Sequence, residues 1–190
     1  MDYLIIYAHP NPKSFNSAIK STIEETLKNA GKSFETVDLY QINFDPVLKP
    51  QGFEAIMQSK VLDDVKHQQT LVKNADTLVV IHPIWWYSMP AILKGYIDRV
   101  FSYGFAYAEE NGEIKPLLTD KKVIIFNTMG EDENTAVSTG MSECLKKTIG
   151  GIFTFCGMKV IQHKIFYAVP YVSDEERKKM LEEVKAVFRL

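Results

Sequence analysis

Five short apolar runs rich in β-branched residues recur along the chain, at Tyr3–Tyr7, Phe34–Leu39, Leu78–Ile81, Val123–Phe126 and Val160–Phe166. None alternates strictly between apolar and polar positions, so each reads as a strand buried on both faces, the pattern of a parallel sheet. The stretches between them carry helical spacing. Phe15, Ile19, Ile23 and Leu27 fall on one stripe, and Ile92, Leu93, Tyr96, Ile97, Val100 and Phe101 on another. A last helix turns Leu181, Val184 and Phe188 inward, with Ser173 of "SDEER" as its N-cap and acids in the first turn, where they complement the dipole. Parallel strands require crossovers, and crossovers are right-handed. The alternation therefore predicts an α/β, doubly wound sheet of order 2-1-3-4-5 with helices on both faces. With 190 residues, 46% of them apolar, one domain spanning residues 1–190 is expected.

In such a sheet a ligand sits beyond the carboxyl ends of the strands where the order reverses, here at the loops after strands one, three and four. The first, "YAHPNPKSFNSA", has Ser14, Asn16 and Ser17 at the start of a helix. Unpaired N–H groups and the dipole favour an anion there, and hydroxyl and amide side chains supplement them without glycine; Ser14 also suits a simple N-cap. The second, "HPIWWYSMPA", sets Trp85, Trp86 and Tyr87 ahead of a proline-started helix. Three consecutive aromatics cannot share one core, and planar rings on a loop suit either a flat ligand or a subunit contact. The third, "NTMGEDENT", places Thr128 and Gly130 for a turn with close backbone approach. Together the loops offer phosphate donors at one end and aromatic walls at the other, which is the shape of a flavin nucleotide. "INFDPVLKPQGF" is the remaining long irregular connection.

Charge and cysteine content remove several alternatives. Net charge is −2 with a pI near 6.1 and the basic residues are scattered, so no nucleic-acid or anionic-lipid partner is expected. No apolar stretch reaches membrane-spanning length and no leader is read at the start, which predicts a cytoplasmic protein without membrane insertion. Cys144 and Cys156 read as buried small hydrophobes, and His9, His67, His82 and His163 lack metal-ligand spacing; no metal is expected. There is no GxSxG elbow for a serine hydrolase.

The stretch "HPIWWYSMPAILKGYIDRVFSYGFAY", His82 to Tyr107, resembles the flavodoxin-like NAD(P)H:quinone oxidoreductases of the DT-diaphorase and modulator of drug activity B type. "AHPNPKSFNSA" and "FCGM" agree with that family in the same order, so the resemblance spans nearly the whole chain. It implies a bound flavin, FAD with FMN as the alternative, and NAD(P)H as co-substrate. By the same matching the pyrophosphate lies near Phe15, Asn16 and Ser17 with His9 beside the nucleotide, and Pro83, Ile84, Trp85, Trp86 and Tyr87 run along the ring. Thr128, Met129, Gly130 and Glu131 contact its polar edge, and Arg177 lies near the adenosine, although Arg177 also reads as a solvated helix residue. The family's site lies at a homodimer interface, where Tyr107 would reach into the partner's pocket. One departure stands out: DT-diaphorase-like members carry a Tyr and a His after the fourth-strand loop that relay charge. This chain has no Tyr between Tyr107 and Tyr167 and no His between His82 and His163, so the proton donor is unassigned.

The leading expectation is therefore hydride transfer from NAD(P)H through flavin to a quinone or similar planar acceptor, with both substrates using one face in turn. Azo or nitro compounds are alternative acceptors. A flavodoxin-like electron carrier would be more acidic than this chain, and a transporter regulatory subunit would co-purify with a membrane protein.

Overall fold

The computed structural model describes residues 1–58 and 60–188. Strands β1 (Tyr3–Tyr7), β2 (Phe34–Asp38), β3 (Thr77–Pro83), β6 (Lys122–Thr128) and β7 (Lys159–Phe166) form a parallel sheet in the order β2-β1-β3-β6-β7. A separate antiparallel hairpin, β4 (Tyr107–Glu110) and β5 (Glu113–Pro116), lies between the third and fourth strands of this sheet in sequence. With the hairpin set aside, the order is the expected 2-1-3-4-5.

Period-two alternation divides the interior into two cores. Leu4 and Ile6 of β1, Leu78 and Val80 of β3, and Val123 and Ile125 of β6 face one side. There they meet α3 (Asp63–Asn74), α4 (Ala91–Val100) and α6 (Met141–Phe155) through residues such as Val72, Leu93 and Leu145. Ile5 and Tyr7, Val79 and Ile81, and Ile124 and Phe126 face the other, against α1 (Phe15–Asn29) and α7 (Asp174–Val187) through Ile19, Ile23, Leu27 and Val184. Strands sandwiched this way bury both faces and are apolar along most of their length, which is why the runs do not alternate.

Three local features differ from what the sequence pattern predicts. The segment read as irregular from Ile42 to Phe53 turns helical at Pro50, where α2 (Pro50–Met57) begins with proline in its first turn. The hairpin turns at Asn111 and Gly112, both at positive φ, the pair a tight primed turn requires. Of the two cysteines read as buried, Cys156 is buried but Cys144 is exposed, because it lies on the outer side of α6 while Leu145 and Ile149 face the core. A short α5 (Glu133–Ser138) follows the loop after β6. Among the described residues no helix is long and apolar enough to cross a membrane, and no group of His, Cys, Asp or Glu is clustered to hold a metal.

Candidate functional site

The carboxyl ends of β1, β3 and β6 open onto a cavity of about 520 Å³, at the reversal of strand order. His9, Ser14, Phe15 and Asn16 supply one wall, Pro83, Ile84 and Trp85 a second, and Thr128, Met129 and Gly130 a third; Arg177 stands at the far end. Ser17, Trp86, Tyr87 and Glu131 border these segments without lining the cavity. Lys13, Ala18, Val169 and Pro170 line it as well. Val169 and Pro170 carry no signal in the sequence, because they follow β7, a strand end outside the switch point.

The first loop becomes a helix N-terminus. Ser14 is the N-cap of α1; its Oγ accepts from the Ser17 amide at 3.1 Å and lies 3.3 Å from the Tyr7 hydroxyl. That oxygen is thus committed to the cap. Asn16 is 3% exposed, and its Nδ2 donates to Thr128 Oγ1 at 2.7 Å, joining the first and third loops. Its Oδ1 is buried without a partner. Such an atom carries a desolvation cost unless a ligand supplies the missing bond, and turning the amide over offers Nδ2 instead, since the threonine hydroxyl can also donate. The ring of Phe15 meets Phe166 edge-on at 6.1 Å, which steadies the start of the helix. His9 Nδ1 accepts from the Asn11 amide at 3.0 Å, and burial holds its pKa below the ordinary value. A neutral His9 with Nδ1 accepting carries its proton on Nε2, ready to donate.

The second loop is a tight turn closed by the Trp85 amide on the Ser88 carbonyl at 2.9 Å and the reverse bond at 3.0 Å. Its two central residues, Trp86 and Tyr87, have φ of 49° and 55°. Left-handed backbone in two consecutive bulky aromatics is costly, and the reward is display: Trp86 is 98% exposed and Tyr87 55%. Trp85 lies 5.7 Å from the His9 ring across the cavity mouth. The Tyr87 hydroxyl sits 3.4 Å from Glu131 Oε1, while Glu131 Oε2 is buried without a partner.

Backbone bonds tie the third loop to its neighbours: Ile84 donates to the Thr128 carbonyl at 2.7 Å, Met129 to Phe166 at 2.9 Å and Val169 to Met129 at 3.1 Å. Arg177 does line the cavity, yet its guanidinium is already engaged, with Val169 O at 3.0 Å and Asp174 Oδ1 at 2.7 Å. Tyr107 stands elsewhere. It packs on Tyr103 and Phe155, with centroids at 5.7 and 5.2 Å, in a groove of about 560 Å³ that Leu48, Phe53 and Phe101 also line. No residue of the 42–53 connection lines the first cavity; Leu48 and Phe53 line this groove instead.

An anion-ready helix start and a raised aromatic turn at the switch point of a 2-1-3-4-5 sheet define a flavodoxin-like protein. The Flavodoxin_2 family model, described as a flavodoxin-like fold, matches residues 1–188, and the chain belongs to that family. An NAD(P)H oxidoreductase of Haemophilus influenzae, itself uncharacterised, is 36% identical over 96% of this chain and 91% of its own length. The human ribosyldihydronicotinamide dehydrogenase [quinone] is 32% identical over 94% and 86%. Among solved structures, the NAD(P)H:quinone oxidoreductase of Methanothermobacter marburgensis superposes with a TM-score of 0.89 at 28% identity, covering 98% of this chain and 96% of that one. The resemblance to the NAD(P)H:quinone oxidoreductases read from the loops thus holds over the whole fold.

Proposed function

We propose that the protein is an NAD(P)H-dependent flavoprotein reductase whose acceptor is a quinone or a similar planar compound. The observation that carries this reading is the pairing at one cavity of an anion-ready helix start, with the buried and unpartnered Asn16 Oδ1, and the Trp85 wall, at whose rim a turn held in left-handed backbone raises Trp86 and Tyr87. Flavin, when bound, accepts a hydride from NAD(P)H and passes it on to the acceptor.

The chain's own residues bind and orient. The α1 N-terminus, Asn16 and His9 would hold the phosphates, and Pro83 to Trp85 with Thr128 to Gly130 would wall the ring. The cavity's extension to Val169, Pro170 and Arg177 favours a dinucleotide, hence FAD over FMN, with Arg177 offering its plane and the two N–H groups left over from its bonds to Val169 and Asp174. A single cavity serving nicotinamide and acceptor by turns gives ping-pong kinetics, read as parallel double-reciprocal lines. The enzyme acts in the cytoplasm as a homodimer, the partner covering the Tyr107 groove.

Purified protein is expected to be yellow, to release FAD on denaturation, and to bleach with NAD(P)H and recover with a quinone. Colourless protein that takes up neither FAD nor FMN sinks the proposal.

A further inference from the structure

Three polar side chains run from the central strand β3 through β6 to the edge strand β7 on the face that packs against α4 and α6. His82 and Asn127 are both fully buried, on adjacent strands and in register; His163 follows on β7, where its neighbour across the ladder is Ile125. His82 Nδ1 lies 2.9 Å from the Pro83 carbonyl, His82 Nε2 lies 2.9 Å from Asn127 Nδ2, and Asn127 Oδ1 lies 2.7 Å from His163 Nε2. His163 Nδ1 is buried without a partner, facing Gly150 of α6.

Only one distribution of protons satisfies all three contacts. A carbonyl only accepts, so His82 carries its proton on Nδ1 and offers a lone pair at Nε2. Asn127 must then turn its NH₂ toward His82 and its oxygen toward His163, which leaves the proton of His163 on Nε2. Turning the amide over would oppose lone pair to oxygen on one side and N–H to N–H on the other. Burial keeps both imidazoles neutral by lowering each pKa to about 4. An amide between two imidazoles does not pass protons, but it does pass orientation.

We propose that His82, Asn127 and His163 are a tautomer-locked positioning chain that holds the Pro83 carbonyl, and with it the start of the aromatic turn, in the geometry the cavity wall requires. Pro83 is the last residue of β3, lines the cavity, and lacks an N–H, while Ile84 spends its own on Thr128 O. The Pro83 carbonyl is therefore steered from beneath, and the steering begins two strands away at His163. The effect on a bound ring rests on the flavin reading; the tautomers do not.

The test is a long-range ¹H–¹⁵N imidazole spectrum of the ¹⁵N-labelled protein, recorded without flavin, followed by flavin titration of the same samples. In the wild type, His82 is expected protonated on Nδ1 and His163 on Nε2. In His163→Leu, Asn127 loses its anchor, so the His82 signals shift toward mixed tautomers and the dissociation constant for added FAD rises about tenfold. In His163→Gln, whose amide N–H can replace Nε2–H, both return to wild-type behaviour. A His82 signature and FAD affinity unchanged in His163→Leu, with only the melting temperature lowered, overturn the proposal and leave His163 a packing residue. Should His163→Leu not fold, the wild-type spectrum decides alone: an Nε2 proton on His82 overturns the chain. The expected tautomers in a protein that takes up no flavin overturn the flavin reading and leave the chain standing.

Discussion

At the scale of single residues the site is built from costs accepted for display or burial, and these costs are measurable. Trp86 and Tyr87 hold left-handed backbone that glycine adopts freely. Trp86→Gly should raise stability by about 0.5–1 kcal/mol, since relief of strain is partly offset by the freedom glycine gains when unfolded. Acceptor turnover should fall at the same time. A thermal melt beside a steady-state assay checks both; a lower melting temperature would mean the turn is not strained. Two imidazoles, His82 fully buried and His163 partly so, contribute to the acid response. Their native pKa of about 4 lies below the unfolded value of 6.5, so between these limits the unfolded chain binds more protons and stability rises with pH, reaching its full value above 6.5. At pH 5 the loss from His82 should be of order 2 kcal/mol relative to pH 7.5, and His163 should add to it. Urea unfolding at the two pH values should show a smaller difference in His163→Gln than in wild type. The aromatic turn and Asn16 were legible because residue types that do not belong in a core stood at a strand end. The His82–Asn127–His163 chain was not, because its members lie 45 and 36 positions apart and meet only through strand register.

At the scale of elements, the five main strands and the helices over them were legible from runs of buried apolar residues, and the register placed the three loops at one end as the reversal rule required. What escaped was structure encoded by few residues. The hairpin rests on Asn111-Gly112, and α2 on Pro50 at its start. Both are short, and both depend on neighbours to stay in place. The 42–53 connection shows how: Arg99, 7% exposed, reaches from α4 to donate to the Asp45 carbonyl at 2.7 Å and to pair with Asp64 at 2.6 Å. Phe44 packs on Tyr96 beside it, and Pro46 lies directly on Gly95. A Cβ at Gly95 would stand 2.1 Å from the Pro46 carbonyl oxygen, so the connection would have to lift off α4. Gly95→Ala is therefore expected to cost about 2–3 kcal/mol despite improving helix propensity. Because Leu48 lies in this connection and borders the Tyr107 groove, the same substitution should disturb the groove more than the cavity. Hydrogen exchange would report it as faster opening of residues 42–53, with the amides of Ile84 and Met129 unchanged; uniform acceleration would contradict a local lift.

At the scale of the whole molecule, the aromatic groove is a surface without an explanation inside one chain. Phe53, Tyr103 and Phe155 are 55%, 44% and 50% exposed around it, and Tyr107, which the family resemblance would set at a flavin, packs among them. The proposed second copy would resolve both points: it would cover apolar surface that a monomer leaves in water, and it would let Tyr107 serve the cavity of its neighbour. A charge in the middle of such an interface is costly, whereas the same charge on a free surface is nearly neutral. Phe155→Asp should then halve the mass seen in sedimentation equilibrium, from twice the 21.7 kDa chain mass to one chain. It should also reduce quinone turnover while leaving the circular dichroism of the sheet and helices unchanged, because Phe155 supports neither core. The two readouts separate the possibilities. Monomers with full turnover would mean the cavity is complete within one chain, and Tyr107 would then be a surface residue. A wild type already sedimenting at 21.7 kDa would mean the groove awaits some other partner.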